Sequence, residues 1–449
     1  MVNDEFFWVV SVFRYYKKGK RMTTFASKSG LQMALTAADK EEVLKKALAA
    51  FGRPLKKVLI IPPDITRLNS NAGFLTDLLY KLLSPTAQVD IIPALGTHFP
   101  MGETELRAMF GRNIPLDRFK VHDWRNDVRT LGEIPGNLVK EWSEGKVDYS
   151  VQVQCNKLLF AGYDLILSVG QVVPHEVVGM ANYTKNILIG VGGSDMINKS
   201  HFLGACYGME RMMGINATPV RKLLNYGVKT FLSDLPILYV LTVMAKNQQS
   251  GGMDMKGLFV GDDDAAFEEA VKLSQQTNFD LLDKPLKKVL VYLDPEEFKS
   301  TWLGNKSVYR TRMAIADDGE LIVMAPGLKQ FGEDPQIDKL IRKYGYKGTP
   351  VTLKAVAEND DLRQNLSAAA HLIHGSSEGR FTIRYCPGAG VSRQEIEGVG
   401  FAYGDLAEVE RRYQPEKLKD GVNRLSDGEE IFYISNPALG LWALKKQFA

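Results

Sequence analysis

Two rhythms of apolar and polar residues alternate along the first half of the chain. Lys57-Val-Leu-Ile-Ile-Pro62 is a short apolar run that reads as a strand, and Pro63-Asp-Ile-Thr-Arg67 as the loop after it. Ala72–Leu83 then repeats its apolar residues at helical spacing. Val89-Asp-Ile-Ile-Pro93 is the next strand and ends in Ala94-Leu-Gly-Thr-His98, after which Thr104–Phe110 reads as a short helix. Further on, Asp164-Leu-Ile-Leu-Ser-Val-Gly170 has the unbroken apolar character of a strand covered on both faces. It leads into Pro174-His-Glu-Val-Val-Gly-Met-Ala-Asn-Tyr-Thr-Lys185 and on to His201. Strands alternating with helical segments predict βαβ units and a mostly parallel sheet.

A second α/β pattern starts near residue 280. Pro285-Leu-Lys-Lys-Val-Leu290 repeats the hexapeptide Pro54-Leu-Lys-Lys-Val-Leu59, and each copy leads into a strand. Glu320–Met324 and the alternating Arg380–Tyr385 add strands to this half. Asn247–Asp254 is loop-like, and Asp262-Asp-Asp264 reads as a solvated helix start. The expected fold is therefore two α/β domains with mostly parallel sheets and an active-site cleft between them. The expected division is 1–21 as an N-terminal extension, 22–275 as an N-terminal catalytic and cofactor-binding domain, and 276–449 as a C-terminal domain. A chain of 449 residues is too long for one ordinary core, which agrees with that division.

Composition removes several function classes. Hydrophobic content of 45% and charged content of 24% describe an ordinary globular protein. A formal net charge of +3, from 56 basic and 53 acidic residues, gives no electrostatic case for nucleic acid. Phe6–Phe13 is apolar but far shorter than the roughly 20 residues of a membrane span, and it follows Asp4 and Glu5 rather than a basic start. The basic run Arg14–Arg21 reads as a solvated extension, with Met22 a conceivable start. Cys155, Cys206 and Cys386 share no metal-ligand or disulfide spacing, so a reducing, cytoplasmic compartment is expected.

Asp64, Arg67, His98 and His175 each lie just past a predicted strand end, the edge at which open α/β sheets bind ligands. Four polar residues on one edge can converge. Blander readings exist for each: Asp64 and Thr66 can cap a helix or stabilise a turn, and His98 can be a turn histidine. His122 reads as structural, and His371 with His374 as a wet helix end before Gly375. Gly190-Val-Gly-Gly-Ser194 lacks the Lys-Ser/Thr ending of a phosphate loop, although it lies between Lys185 and His201 and could let backbone approach a ligand.

Taken together, these motifs resemble the lactate racemase family, whose enzymes carry a nickel-pincer nucleotide. The family's Asp-x-Thr-Arg motif stands here as Asp64-Ile-Thr-Arg67, and its Gly-Thr-His motif as Gly96-Thr-His98-Phe-Pro-Met101. Its Pro-His, followed by a lysine ten positions on and a histidine sixteen beyond that, stands as Pro174-His175, Lys185 and His201. A C-terminal aromatic with a lysine four residues later stands as Trp302 and Lys306. The resemblance implies that Lys185 carries the cofactor covalently and that His201 offers an imidazole to nickel, whose square-planar set suits sulfur and imidazole donors. It implies that His98 and His175 act as general acid and base, and that Arg67 and Lys306 hold a carboxylate. Asp64 would contact the cofactor or orient neighbouring cations, and Trp302 would stack on its ring. The implied partners are a small-molecule 2-hydroxy acid and the proteins that make the cofactor.

The chain departs from the family pattern in three places. Leu68 follows Arg67 where the family has proline, Ala181-Asn-Tyr-Thr184 replaces small residues before the lysine, and Leu303 stands where lactate racemase proper carries glutamine. These changes leave the reaction type, inversion at C2 of a 2-hydroxy acid, but point to a substrate larger than lactate, such as an aldonic acid. Lactate racemase proper is the alternative within the class. A zinc-dependent hydrolase using His98, His175 and His201 is the alternative from another class, although no His-Glu-x-x-His signature supports it. A non-catalytic binding protein leaves the lysine between two histidines without a purpose.

Overall fold

The apolar runs become the central strands of two separate sheets. The computed structural model describes residues 15–17, 20–22, 24–247 and 251–448. Phe6–Phe13, most of the extension 1–21 and part of the Asn247–Asp254 loop lie outside the described residues. The described chain forms two compact units, one running to Ser200 and resuming over Met213–Asn278, the other made of His201–Met212 and Phe279–Ala449. The division expected at 275/276 lies just before the break at Asn278/Phe279, near the end of the helix Asp264–Asn278, and the second unit also takes in His201–Met212. The segment 201–212 groups with the later residues because it packs on them, with Ala205 buried against Ala370 and Ile373.

In the first unit, β1 (Thr24–Ser29) precedes α1 (Ala37–Phe51), β2 (Lys57–Ile61), α2 (Ala72–Leu83), β3 (Gln88–Ile91) and α3 (Glu103–Phe110). There follow β4 (Leu165–Gln171), α4 (Ser194–Tyr207), α5 (Pro219–Phe231), β5 (Ile237–Lys246), β6 (Met253–Gly261) and α6 (Asp264–Asn278). Local signals bound these elements. Thr36 caps α1 reciprocally with Asp39, and Gly52 ends it in the left-handed region at φ 65°. The sheet order is β3-β2-β4-β5-β6-β1. β2 pairs in parallel with β3 and β4, and β4 with β5, while β6 and β1 close the edge antiparallel. Val58, Leu59, Ile60 and Ile61 are fully buried, each such side chain contributing about 1.5–3 kcal/mol. Because β3 lies on one side of β2 and β4 on the other, the strand order reverses between β2 and β4. Sheets of this kind bind ligands at the carboxyl ends beside such a reversal.

The second unit repeats the principle. β7 (Leu286–Tyr292), β8 (Ile315–Ala325), α7 (Leu366–His374), β9 (Thr382–Pro387), β10 (Ala402–Tyr403), β11 (Gly421–Arg424) and β12 (Glu430–Ile434) include its main sheet, ordered β10-β9-β8-β7-β12-β11. All neighbours are parallel except β11 with β12. The repeated hexapeptide enters β2 in one unit and β7 in the other, and each strand has a parallel neighbour on both sides. Among the described residues no helix is long and apolar enough to cross a membrane.

Candidate active site

Parallel pairing of β2 with β3 continues one step past the strands as a bridge between Pro63 and Ala94. The two loops that leave these strands therefore start side by side. Asp64 opens a short 3-10 turn, Ile65–Ser70, but its side chain does not cap that turn. Its carboxylate instead accepts from the Thr66 hydroxyl at 2.5 Å and meets Nδ1 of His98 at 2.6 Å. Asp64 is buried at 4% exposure, whereas the His98 ring is half-exposed. Burial alone would raise the Asp64 carboxyl, but the His98 hydrogen bond and charge, the Thr66 hydroxyl and Arg67 outweigh it and hold the group below its usual range. An ionised Asp64 accepts a hydrogen bond from Nδ1–H, which in the neutral ring leaves Nε2 of His98 as an acceptor.

Arg67 is exposed, and its guanidinium bonds only locally, to the Thr66 carbonyl and hydroxyl at 3.2 Å each. Among the described residues no carboxylate pairs with it. Its fork is thus open to an incoming anion.

After β4 the chain turns through Pro174–His175, which pairs antiparallel with Gly179–Met180. His175 is buried, and its Nδ1 accepts the Val177 backbone N–H at 3.1 Å. That bond uses the Nδ1 lone pair, so a neutral ring carries its proton on Nε2. The two histidines are held in opposite senses, His98 by a carboxylate on Nδ1 and His175 by a donor on Nδ1.

Lys185 opens a single π turn, Asn186–Gly190, a geometry frequent at functional sites. Asn186 fastens the turn to the sheet through the Ile61 carbonyl and the Ser168 hydroxyl, both at 3.0 Å. The Lys185 ammonium is half-buried and makes no hydrogen bond or ion pair among the described residues. Burial, with Arg67 and Arg221 nearby, brings its pKa down to about 8 against the opposing pull of Glu176 and Asp64. The same four neighbours show that Lys185 shares one locality with Asp64 and Arg67 from the loop after β2 and with Glu176 beside His175. Asp64, Arg67, His98, His175 and Lys185 thus gather along one edge of the first sheet, around the reversal of strand order.

The remaining candidates belong to the second unit. His201 lies on α4, half-buried. Trp302 is half-buried in the turn Thr301–Gly304 and packs against His371 with ring centres 4.3 Å apart and planes tilted by 30°. Lys306 is half-buried, its ammonium 4.0 Å from Glu297 and 5.3 Å from the Phe298 ring centre.

Three readings change. His371 and His374 do end a helix, but they are buried at 7% and 3% rather than wet, because that helix turns its last residues into the unit's interior. The glycines after Lys185 serve protein packing rather than a ligand. A Cβ on Gly190 would stand 2.6 Å from the Ala94 Cβ, on Gly192 1.8 Å from the Leu188 carbonyl oxygen, and on Gly193 2.4 Å from Gln154. Asp264 opens α6 but is half-buried, accepting from Tyr183, Asn225 and Lys229 rather than standing in solvent. His122 is structural, as expected: it is buried and bonded to Gly192 and Asn156.

Sequence reading missed Glu176 and Arg221. Glu176 was adjacent to a named histidine. Arg221 carried a signal of its own, a charge on the face of α5 that also holds the buried Val220, Leu224 and Gly227.

The fold and this edge define a mixed α/β protein with mostly parallel sheets and a cluster of polar side chains at strand ends. Comparison with known proteins narrows that class. Residues 20–213 match the lactate racemase N-terminal domain. The lactate racemase of Thermoanaerobacterium thermosaccharolyticum is 29% identical over 161 residues, covering 35% of this chain and 34% of that protein. The match thus spans about a third of that curated relative's length. Among solved structures, a Thermotoga maritima protein superimposes with a TM-score of 0.79 at 23% identity, over 93% of this chain and 100% of that one. The lactate racemase apoprotein from T. thermosaccharolyticum gives 0.66 at 18%, over 90% and 92%. These likenesses show the fold. The N-terminal domain match and the curated relative support a place in the lactate racemase family.

Proposed function

We propose that the protein is a racemase or epimerase that inverts C2 of a 2-hydroxy acid with a nickel-pincer nucleotide. The observation that carries this reading is the gathering of an Asp64–His98 pair, a second histidine, an open arginine fork and an uncharged-prone lysine on one sheet edge. The likeness to the lactate racemase N-terminal domain supports an enzyme of the racemase kind. The residues also fit the cofactor: an amine brought down to about 8, without a competing partner among the described residues, suits a covalent link through nitrogen.

When bound, the cofactor supplies the site that takes hydride from C2 and returns it. The protein's own part is binding and proton movement. Arg67 would grip the substrate carboxylate bidentately, and Lys306 would add a point charge. His98, with Nε2 accepting, would take the hydroxyl proton from one enantiomer. His175, with Nε2 donating, would serve the carbonyl oxygen on the other face, and the roles exchange in reverse. Asp64 keeps His98 in the accepting form. His201 would offer an imidazole to nickel and Trp302 a flat apolar surface. A substrate larger than lactate remains our reading, on Leu68 and Leu303. A reducing, cytoplasmic setting belongs to this reading, since Cys155, Cys206 and Cys386 share no disulfide spacing. Cofactor-making proteins would be partners.

A zinc hydrolase needs three protein donors and an open position. Among the described residues no three His, Cys, Asp or Glu side chains gather as such a set.

The test is deuterium at C2, with protein produced alongside the cofactor-making proteins. The inverted product should keep the label on C2, since a hydride held on a cofactor need not exchange with water. Washout into solvent from the first turnover would show an enolisation mechanism and end the reading.

A further inference from the structure

Arg221 is the charged residue buried deepest beside the candidate site, and no role yet described accounts for it. It is 3% exposed, and among the described residues no carboxylate hydrogen-bonds to it. Its two terminal nitrogens, though not its buried Nε, donate to the strip of backbone that ends at Lys185. Nη2 donates to the Met180 carbonyl at 2.6 Å and the Asn182 carbonyl at 3.2 Å. Nη1 donates to Asn182 again at 3.2 Å and to the Thr184 hydroxyl at 2.8 Å. The plane also lies 4.5 Å from the Phe267 ring centre, and that ring stacks on Tyr183.

The strip needs such a clamp. Asn182 and Tyr183 are both left-handed, at φ 67° and 58°, a conformation that non-glycine residues rarely hold in succession. Strain of this kind persists only where surroundings impose it. Tyr183 is anchored by Asp264 at 3.0 Å, Thr184 by Asn225 at 2.8 Å, and Asn182 packs where β4 ends, so closely that a Cβ on Gly170 would meet its amide.

We propose that Arg221 is a positioning residue for Lys185, clamping residues 180–184 in their strained path and holding a buried positive charge beside the lysine so that its amine is ready to react. The inference rests on the proposed role of Lys185 but concerns the unloaded chain. The groups that face Lys185 come from three elements: Asp64 and Arg67 after β2, Glu176 after β4, and Arg221 on α5. Arg67 acts in the same direction as Arg221, and the two carboxylates oppose them. A buried amide could supply hydrogen bonds to the strip. Only a cation also disfavours a second positive charge next to it.

The experiment is competitive acylation of the unloaded full-length protein with acetic anhydride across pH, reading the Lys185 peptide against surface lysines by mass spectrometry. Amide hydrogen exchange over 180–185 is followed in parallel. In the wild type Lys185 should label with a midpoint of about 8. Arg221→Met should move the midpoint upward; half a unit already lowers the neutral fraction below the midpoint by about three-fold. Arg221→Lys keeps the charge but not the fork, so the midpoint should stay near the wild type's while exchange over 180–185 quickens. A wild-type midpoint near that of surface lysines, or an unmoved midpoint in a folded Met variant, would overturn the proposal. Should the Met variant fail to fold, unchanged exchange over 180–185 in the Lys variant overturns it instead. If these results hold but no adduct forms on Lys185 in loaded protein, the functional reading fails and the clamp stands.

Discussion

Replacing Asp64 by Asn changes one atom and tests how His98 is held. The carboxylate makes two short bonds, to His98 at 2.6 Å and to Thr66 at 2.5 Å. Bonds to a charged group contribute about 1.5–3 kcal/mol each and neutral ones about 1. An amide of the same shape keeps both contacts as neutral bonds, so the stability loss should be about 1–3 kcal/mol in all. Catalysis should suffer more. An amide that presents its NH2 to Nδ1 forces the proton of His98 onto Nε2, where the base must accept. Loss of one acid/base group costs on the order of 10²–10⁴ in rate, or about 3–5 kcal/mol of barrier. The sign of the pH effect follows from the depressed Asp64 carboxyl: its contribution is present above the unfolded value near 3.9 and is lost as pH falls through the folded one. The stability gap between wild type and variant should therefore be full at pH 7 and close below about pH 4. Chiral chromatography of loaded protein gives the rate, urea unfolding gives stability, and ¹⁵N shifts of His98 in the unloaded chain report which nitrogen carries the proton. Identical His98 shifts in both proteins, or a rate within about three-fold of wild type, would refute the reasoning.

Lys185→Ala should remove the covalent adduct from intact mass; a full adduct on that variant would disprove the attachment. His201→Ala should lower nickel per protein, measured by elemental analysis, while the organic adduct on Lys185 persists. Gly192→Ala sets a Cβ against the Leu188 carbonyl, so the π turn must shift; unfolding should show a loss of about 1–3 kcal/mol or more, and wild-type stability would contradict the packing role given to this glycine.

The strands and helices before residue 111 were legible because burial on one face or two writes its period into neighbouring residues. The reading placed a strand at 57–62 and a helix at 72–83, against observed limits of Lys57–Ile61 and Ala72–Leu83. That Asp64, Arg67, His98 and His175 would follow strand ends was legible for the same reason. Their chemistry was not. Which nitrogen of His98 is free depends on a carboxylate 34 residues away, and the state of Lys185 on an arginine 36 residues further along the chain. His371 looked solvent-facing from its polar neighbours until the fold buried it. The glycines after Lys185 looked like a ligand cradle until Ala94, Leu188 and Gln154 occupied the space. Periodicity is a property of near neighbours, so the sequence by itself determined the elements and the order of their loops. Protonation, strain and exposure depend on dielectric and distance between residues far apart in the chain, and those only the tertiary structure decided.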